Sequence, residues 1–165
     1  MNELPGNRYT GVMKRVLIGN DHGAVEVKQR IVAHLVSRGF HVENRGVDTE
    51  DSVDYPDIAA TVCNELNAAA GTDNPYAFAV LCCGTGIGIS ISANKIDGIR
   101  CALPQNGYAA QMAREHNNAN VIAFGGRVDY PEPIETMLDA YIDSTPEGGR
   151  HAKRVSKIMA LEQSD

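Results

Sequence analysis

The stretch Cys83-Gly84-Thr85-Gly86-Ile87-Gly88-Ile89-Ser90 constrains this chain more than any other. It follows the apolar run Phe78-Ala79-Val80-Leu81-Cys82, which reads as a buried strand, and leads into Ser90-Ile91-Ser92-Ala93-Asn94-Lys95, which has short-helix character. A strand, a glycine turn and a helix start together make a place for a small anion. Glycines let the backbone approach a ligand closely, and the N–H groups of a helix start point at negative charge. Cys83 stands at the strand's end as a potential nucleophile or base, where a helix dipole favours its thiolate.

The glycine spacing separates this loop from three familiar phosphate loops. A dinucleotide fold needs G-x-G-x-x-G after its first strand, but here G-x-G-x-G follows the third. A nucleotide P-loop needs a lysine after its last glycine, and none follows Gly88. A cysteine phosphatase loop needs an arginine where Ile89 stands. Taken alone, the stretch reads equally well as a tight βα turn with an incidental cysteine.

The periodicity of the rest predicts alternating strands and helices. Strands are expected at 15–20, 41–45, 78–82, 99–103 and 121–124. Helices are expected at 24–38, 55–70, 106–115, 132–142 and 150–162. Alternating elements with continuously apolar strands predict a three-layer α/β/α Rossmann-like fold around a five-stranded parallel sheet. Ligands of such sheets bind outside the carboxyl ends of the strands. That rule selects Asp21 and His22 after the first strand, Cys83 to Gly88 after the third, Gln105 and Asn106 after the fourth, and Arg127 after the fifth.

Two further groups lie elsewhere. His116 falls between a helix and the amino end of the fifth strand, the wrong edge for its own sheet's crevice, so a functional His116 is expected to act across a subunit interface. Arg150 and Arg154 stand one helical turn apart behind Gly148-Gly149, a pairing that suits the forked hydrogen bonds of a phosphate. A solvated basic face is the plainer reading of those two arginines.

Charge and composition narrow the partners. With 165 residues and a net charge of −6, one domain that binds neither nucleic acid nor membrane is expected. Residues 1–13 lack the apolar core of a signal peptide and are expected to form a flexible extension ahead of a single domain at 14–165. The four cysteines show no metal-ligand spacing, which fits reduced thiols in a cytoplasmic protein. Cys82 should face away from Cys83 into the core.

Taken in order, Gly19-Asn20-Asp21-His22, Asp54-Tyr55-Pro56, Cys83-Gly84-Thr85-Gly86-Ile87-Gly88, Ala93-Asn94-Lys95, His116-Asn117-Asn118-Ala119-Asn120-Val121, Gly125-Gly126-Arg127 and Glu147-Gly148-Gly149-Arg150-His151 resemble the type B ribose-5-phosphate isomerase family, which includes galactose- and allose-6-phosphate isomerases. The resemblance spans about Arg15 to Gln163. It implies an aldose–ketose isomerase that uses no metal and no cofactor. Its substrate would be a phosphorylated sugar, and its active sites would be shared across a homodimer, alone or as a dimer of dimers.

Carried over by position, the resemblance makes Cys83 the base between C2 and C1, a role that a glutamate fills in another branch of the family. Thr85 and His116 would open the furanose ring. Asp21 would hold sugar hydroxyls and Tyr55 would line the pocket. Asn117 and the backbone N–H groups of the loop bearing Gly84, Gly86 and Gly88 would stabilise the enediolate. His22, Arg127, Arg150 and Arg154 would bind the phosphate. Two departures stand out: Asn118 replaces an aspartate common in relatives, and Leu103-Pro104-Gln105-Asn106-Gly107, which bears on substrate choice, is unusual for the loop after the fourth strand. The alternatives are isomerisation of a six-carbon sugar phosphate and sugar-phosphate binding without turnover. A nucleotide-binding domain is disfavoured by the glycine spacing.

Overall fold

In the computed structural model, which describes residues 13–163, a five-stranded sheet carries the glycine loop on its central strand. The strands are β1 (Arg15–Asn20), β2 (His41–Asn44), β3 (Tyr76–Cys83), β4 (Cys101–Ala102) and β5 (Val121–Gly125), in the order β2-β1-β3-β5-β4 and all parallel. The helices are α1 (Val25–Ser37), α2 (Tyr55–Ala69), α3 (Ile87–Ala93), α4 (Gly107–Glu115), α5 (Ile134–Ile142) and α6 (Arg150–Ala160). Three-residue 3-10 turns precede α1 at His22–Ala24 and follow α6 at Leu161–Gln163. The expected extension at 1–13 lies outside the described residues except for Met13.

The period of two along each strand builds two cores. Val16, Ile18, Phe78, Val80, Cys82, Ile122 and Phe124 face one way, against α1, α4 and α5. Leu17, Ala79, Leu81, Cys83, Val121 and Ala123 face the other way, against α2 and α3. This is the expected three-layer α/β/α arrangement. Cys82 and Cys83 fall on opposite faces, and burial raises the thiol pKa of Cys82, as it does those of Cys101 and of Cys63, which is pushed up to about 12. No helix among the described residues is long and apolar enough to cross a membrane.

The strand order fixes where a ligand can enter. From β1 the chain moves outward to β2, then returns to the other side of β1 as β3. Connections that leave adjacent strands in opposite directions open a crevice at their carboxyl ends, here between β1 and β3. Asp21 directly follows β1, Cys83 ends β3, and the Asp21 N–H donates to the Cys82 carbonyl at 3.0 Å.

Two elements differ from their expected extents for physical reasons. β4 holds two residues where five are expected. The Asn94 side chain accepts from the Cys101 N–H at 2.8 Å and donates to the Cys101 carbonyl at 2.9 Å, so the outer edge of β4 is already paired. Pro104, shortly beyond, has no N–H to continue a ladder. α3 begins at Ile87 rather than Ser90, so Gly88 lies inside the helix, not in the turn.

α6 stands apart from both cores. His151 is its buried residue. The Arg100 guanidinium, which meets the Met159 sulfur at 3.1 Å, and Glu162, which accepts from the Gly98 N–H at 2.9 Å, tie its far end to the segment before β4.

Candidate active site

At the carboxyl edge three glycine-bearing turns pack backbone against backbone. A Cβ on Gly23 would lie 3.0 Å from Gly84 Cα, and one on Gly126 would lie 2.4 Å from the Gly23 carbonyl oxygen. The Gly126 N–H donates to the Cys83 carbonyl and the Arg127 N–H to the Gly84 carbonyl, each at 2.8 Å. The turns after β1, β3 and β5 are thereby locked into one unit, and their side chains share one edge.

Within that unit Cys83 is 3% exposed, and its sulfur accepts the Gly86 N–H at 3.1 Å. Gly86 has φ +75°, the left-handed conformation that turns the chain back over the sulfur. Thr85 Oγ1 accepts the Ile87 N–H at 3.3 Å. Two N–H groups that the sequence reading assigned to a ligand are therefore engaged inside the loop. Gly88 serves packing: a Cβ there would sit 2.5 Å from Tyr55 Cζ, so the Tyr55 ring lies directly on the first turn of α3.

Asp21 is buried and its Oδ1 accepts the Gly23 N–H at 2.8 Å, an Asx turn that opens the segment before α1. His22 Nδ1 accepts the Val53 N–H at 3.2 Å, which leaves Nε2 as the protonated nitrogen of the neutral ring. Arg127 lays its guanidinium beside Gly84, with Nη1 3.5 Å from the Cβ position there. His22 and Arg127 line a cavity of about 300 Å³ together with Glu26 and Glu50. Asp21, His22, Tyr55, Cys83, Thr85 and Arg127 are thus assembled on one edge. Gln105 and Asn106 are not drawn into that cavity, and Asn106 instead caps α4, accepting the Ala109 N–H at 2.8 Å.

Sequence reasoning missed what steadies this edge. Lys28 is buried in α1 and donates to the Val47 carbonyl at 3.0 Å and to the Asp48 carboxylate. Lys28 in turn holds the Asp48 carboxyl below the usual carboxylate range. Asn20 donates to the same Val47 carbonyl at 3.0 Å. These bonds fix the loop whose Val53 N–H orients His22. The available signal was a lysine on the apolar stripe Val27, Ile31, Leu35.

His116, Asn117, Arg150 and Arg154 lie at the opposite edge. β5 separates them from Cys83, which pairs with Gly125, and its four steps span on the order of 13 Å. Here the His116 and His151 rings stack with centroids 3.9 Å apart and planes 12° apart. Arg150 Nε donates to His151 Nε2 at 3.2 Å, and Glu147 Oε2 lies 3.4 Å from His151 Nε2 and 3.9 Å from His116 Nε2. Burial first, then the neighbouring His116 and Arg150, lower the His151 pKa against the opposing effect of Glu147. Arg100 donates to the Asn117 carbonyl at 3.1 Å and the Asn118 carbonyl at 2.7 Å. Asn118 has φ +43°, and its Oδ1 accepts from Arg114 at 3.0 Å.

His116, Glu147 and His151 bring ligand atoms within 4.8 Å of one another, but they are poorly disposed for a metal. An imidazole binds an ion in its ring plane, and no point lies in two parallel stacked planes. Arg150 also occupies the His151 Nε2 lone pair. A larger cavity of about 670 Å³, lined in part by Asn117, Cys101, Ile158 and Leu161, opens between the end of α3, β4 and α6.

A parallel α/β sheet with a cysteine, an aspartate, a histidine and an arginine gathered at its switch point defines a protein for a small anionic metabolite. Comparison with known proteins makes this specific. The family model described as Ribose/Galactose Isomerase matches residues 16–158. Ribose-5-phosphate isomerase B of Escherichia coli (strain K12) is 44% identical over 151 residues, covering 92% of this chain and 98% of that one. D-erythrulose-4-phosphate isomerase of Pectobacterium atrosepticum is 38% identical over 154 residues, covering 93% and 98%. The solved structure of Clostridium thermocellum ribose-5-phosphate isomerase B superposes with a TM-score of 0.84 at 40% identity, covering 90% and 97%. The chain belongs to the ribose/galactose isomerase family and is a sugar-phosphate isomerase.

Proposed function

We propose that this chain interconverts ribose 5-phosphate and ribulose 5-phosphate through an enediolate, with Cys83 as the base. The observation that carries this reading is the Cys83 sulfur itself. It ends the central strand at the switch point, accepts a hydrogen bond as a base does, and shares its edge with Asp21, His22 and Arg127. The E. coli and C. thermocellum relatives, ribose-5-phosphate isomerases B by name, support the choice of sugar.

The Cys83 thiolate takes the proton from C2 of the open aldose. The C–H electrons form the C1–C2 double bond, and the carbonyl oxygen on C1 takes the negative charge. A proton moves from the C2 hydroxyl to that oxygen, and the Cys83 thiol returns its proton to C1, so nothing is gained or lost. The acidity of that C–H depends on donors preorganised at the developing oxyanion. Asn117 supplies one. The loop N–H groups other than those of Gly86 and Ile87, which are engaged within the turn, act beside it. Thr85 and His116 open the ring, Asp21 holds hydroxyls and Tyr55 bounds the pocket. His22, Arg127, Arg150 and Arg154 hold the phosphate.

Because His116, Asn117, Arg150 and Arg154 lie across the sheet from Cys83, each site draws them from a second copy of the chain. Exposed apolar groups flank both halves: Ile87 (54%) and Ile91 (56%) on α3 beside the glycine loop, and Ile158 on α6. Exposed apolar surface at these positions supports burial against another copy.

Production of ribulose 5-phosphate from ribose 5-phosphate with a chelator present tests the proposal. Turnover supports it, and no turnover by folded protein contradicts it. The P. atrosepticum relative, whose name specifies a four-carbon substrate, makes D-erythrulose 4-phosphate the first alternative to assay, ahead of allose and galactose 6-phosphates. Arg154→Ala is expected to raise KM for ribose 5-phosphate about tenfold and to leave kcat within about twofold, because a phosphate contact is equal in the ground and transition states. Steady-state kinetics check this, and unchanged constants would place Arg154 outside the site.

A further inference from the structure

We infer that His151 is a positioning residue, which sets the His116 imidazole by ring stacking and the Arg150 guanidinium through its own Nε2. One buried ring would then register the ring-opening group against the phosphate grip. The inference rests on the roles proposed above for His116 and Arg150.

The geometry separates His151 from the groups it touches. Its side chain is 7% exposed, whereas the His116 side chain is 34% exposed and Arg150 stands open to solvent. His151 is the buried residue of α6, a helix outside both cores, so it forms the joint between that helix and the end of α4. The Glu147 N–H, donating to the Glu115 carbonyl at 2.8 Å, closes the same joint from the backbone side. Both faces of the task are visible: a near-parallel ring 3.9 Å from His116, and an acceptor nitrogen 3.2 Å from Arg150 Nε.

The acceptor role requires a neutral ring. An imidazolium would have to donate from Nε2 and would repel the guanidinium that now donates to it. The charged groups around the ring are His116, Arg150, Arg154 and Glu147, and three of the four are cationic or become so on protonation. The lowered His151 pKa is consistent with this state.

Two substitutions divide the roles. His151→Phe keeps a flat ring under His116 and removes the acceptor. His151→Gln keeps an acceptor near the Nε2 position and removes the ring. In His151→Phe the affinity for inorganic phosphate, read by calorimetry, should fall about tenfold, the scale of a hydrogen bond to a charged group. KM for ribose 5-phosphate should rise in parallel with kcat retained. In His151→Gln phosphate affinity and KM should hold, while kcat falls about tenfold through misplacement of His116. The ring-nitrogen NMR shifts of His116 should move in His151→Gln and not in His151→Phe.

Identical behaviour of the two variants in phosphate affinity and in His116 shifts would overturn the inference, since a merely structural joint would respond alike to both. A wild-type spectrum at neutral pH with His151 Nε2 protonated would also overturn it, without any variant. Phosphate binding and ring-nitrogen shifts need no turnover. They therefore test the joint even if the sugar assignment fails.

Discussion

Cys83→Ala should lower kcat for ribose 5-phosphate isomerisation by about a thousandfold, within the range set by removal of a general base, while inorganic phosphate still binds. The side chain lost is small and sits at the end of β3 in the core against α2 and α3, so a folded protein is expected, and circular dichroism checks that. The sulfur is the acceptor that the loop is wrapped around, with the Gly86 N–H 3.1 Å away. The rival base on this edge is Asp21, which is buried and already spends Oδ1 on the Gly23 N–H. Exchange of the C2 hydrogen with heavy water separates the two. Loss of exchange in Cys83→Ala assigns proton abstraction to the sulfur, and near-normal exchange transfers that role to Asp21.

The second large effect is structural. Gly86→Ala forces a side chain into the left-handed region at φ +75° and places a methyl 2.6 Å from Leu103 Cδ1 and 2.9 Å from the Phe124 carbonyl carbon. Leu103 can give way, but the Phe124–Gly125 backbone at the end of β5, just ahead of Arg127, cannot do so without moving the phosphate arginine. The conformational penalty and the overpacking together cost about 2–5 kcal/mol. For a chain of this size, that is a fall in Tm on the order of 10 °C. The Gly86 N–H would leave the Cys83 sulfur as the turn shifts, so kcat should fall in the surviving folded fraction. Thermal unfolding followed by kinetics reads both effects, and an unchanged Tm would mean that the turn tolerates a side chain.

The sheet was legible because its strands are apolar runs punctuated by glycine, and a parallel sheet buried on both faces demands that pattern. The carboxyl-edge rule then found Asp21, His22, Cys83 and Arg127 without any structure, and the placement of His116 before β5 put it on the far edge. What was not legible depended on side chains meeting across long sequence separations. The pairing of β4 by the Asn94 amide shortened a strand that its composition lengthened. The ring of Tyr55 gave Gly88 a packing role inside α3 rather than a place in the turn. Lys28 stands on the apolar stripe of α1, but only the fold shows that it and Asn20 both bind the Val47 carbonyl. His151 was visible as part of a motif, but its stacking on His116 needs the approach of α6 to the end of α4.

Subunit exchange between two inactive variants tests the central claim most directly. In a two-fold dimer whose sites each combine Cys83 of one copy with His116 of the other, a mixed dimer of Cys83→Ala and His116→Ala chains holds one site free of both substitutions. Random exchange should therefore restore about a quarter of wild-type activity from two proteins that are inactive alone. No recovery, with exchange demonstrated by differently tagged chains, would mean that each site lies within one copy and would contradict the account.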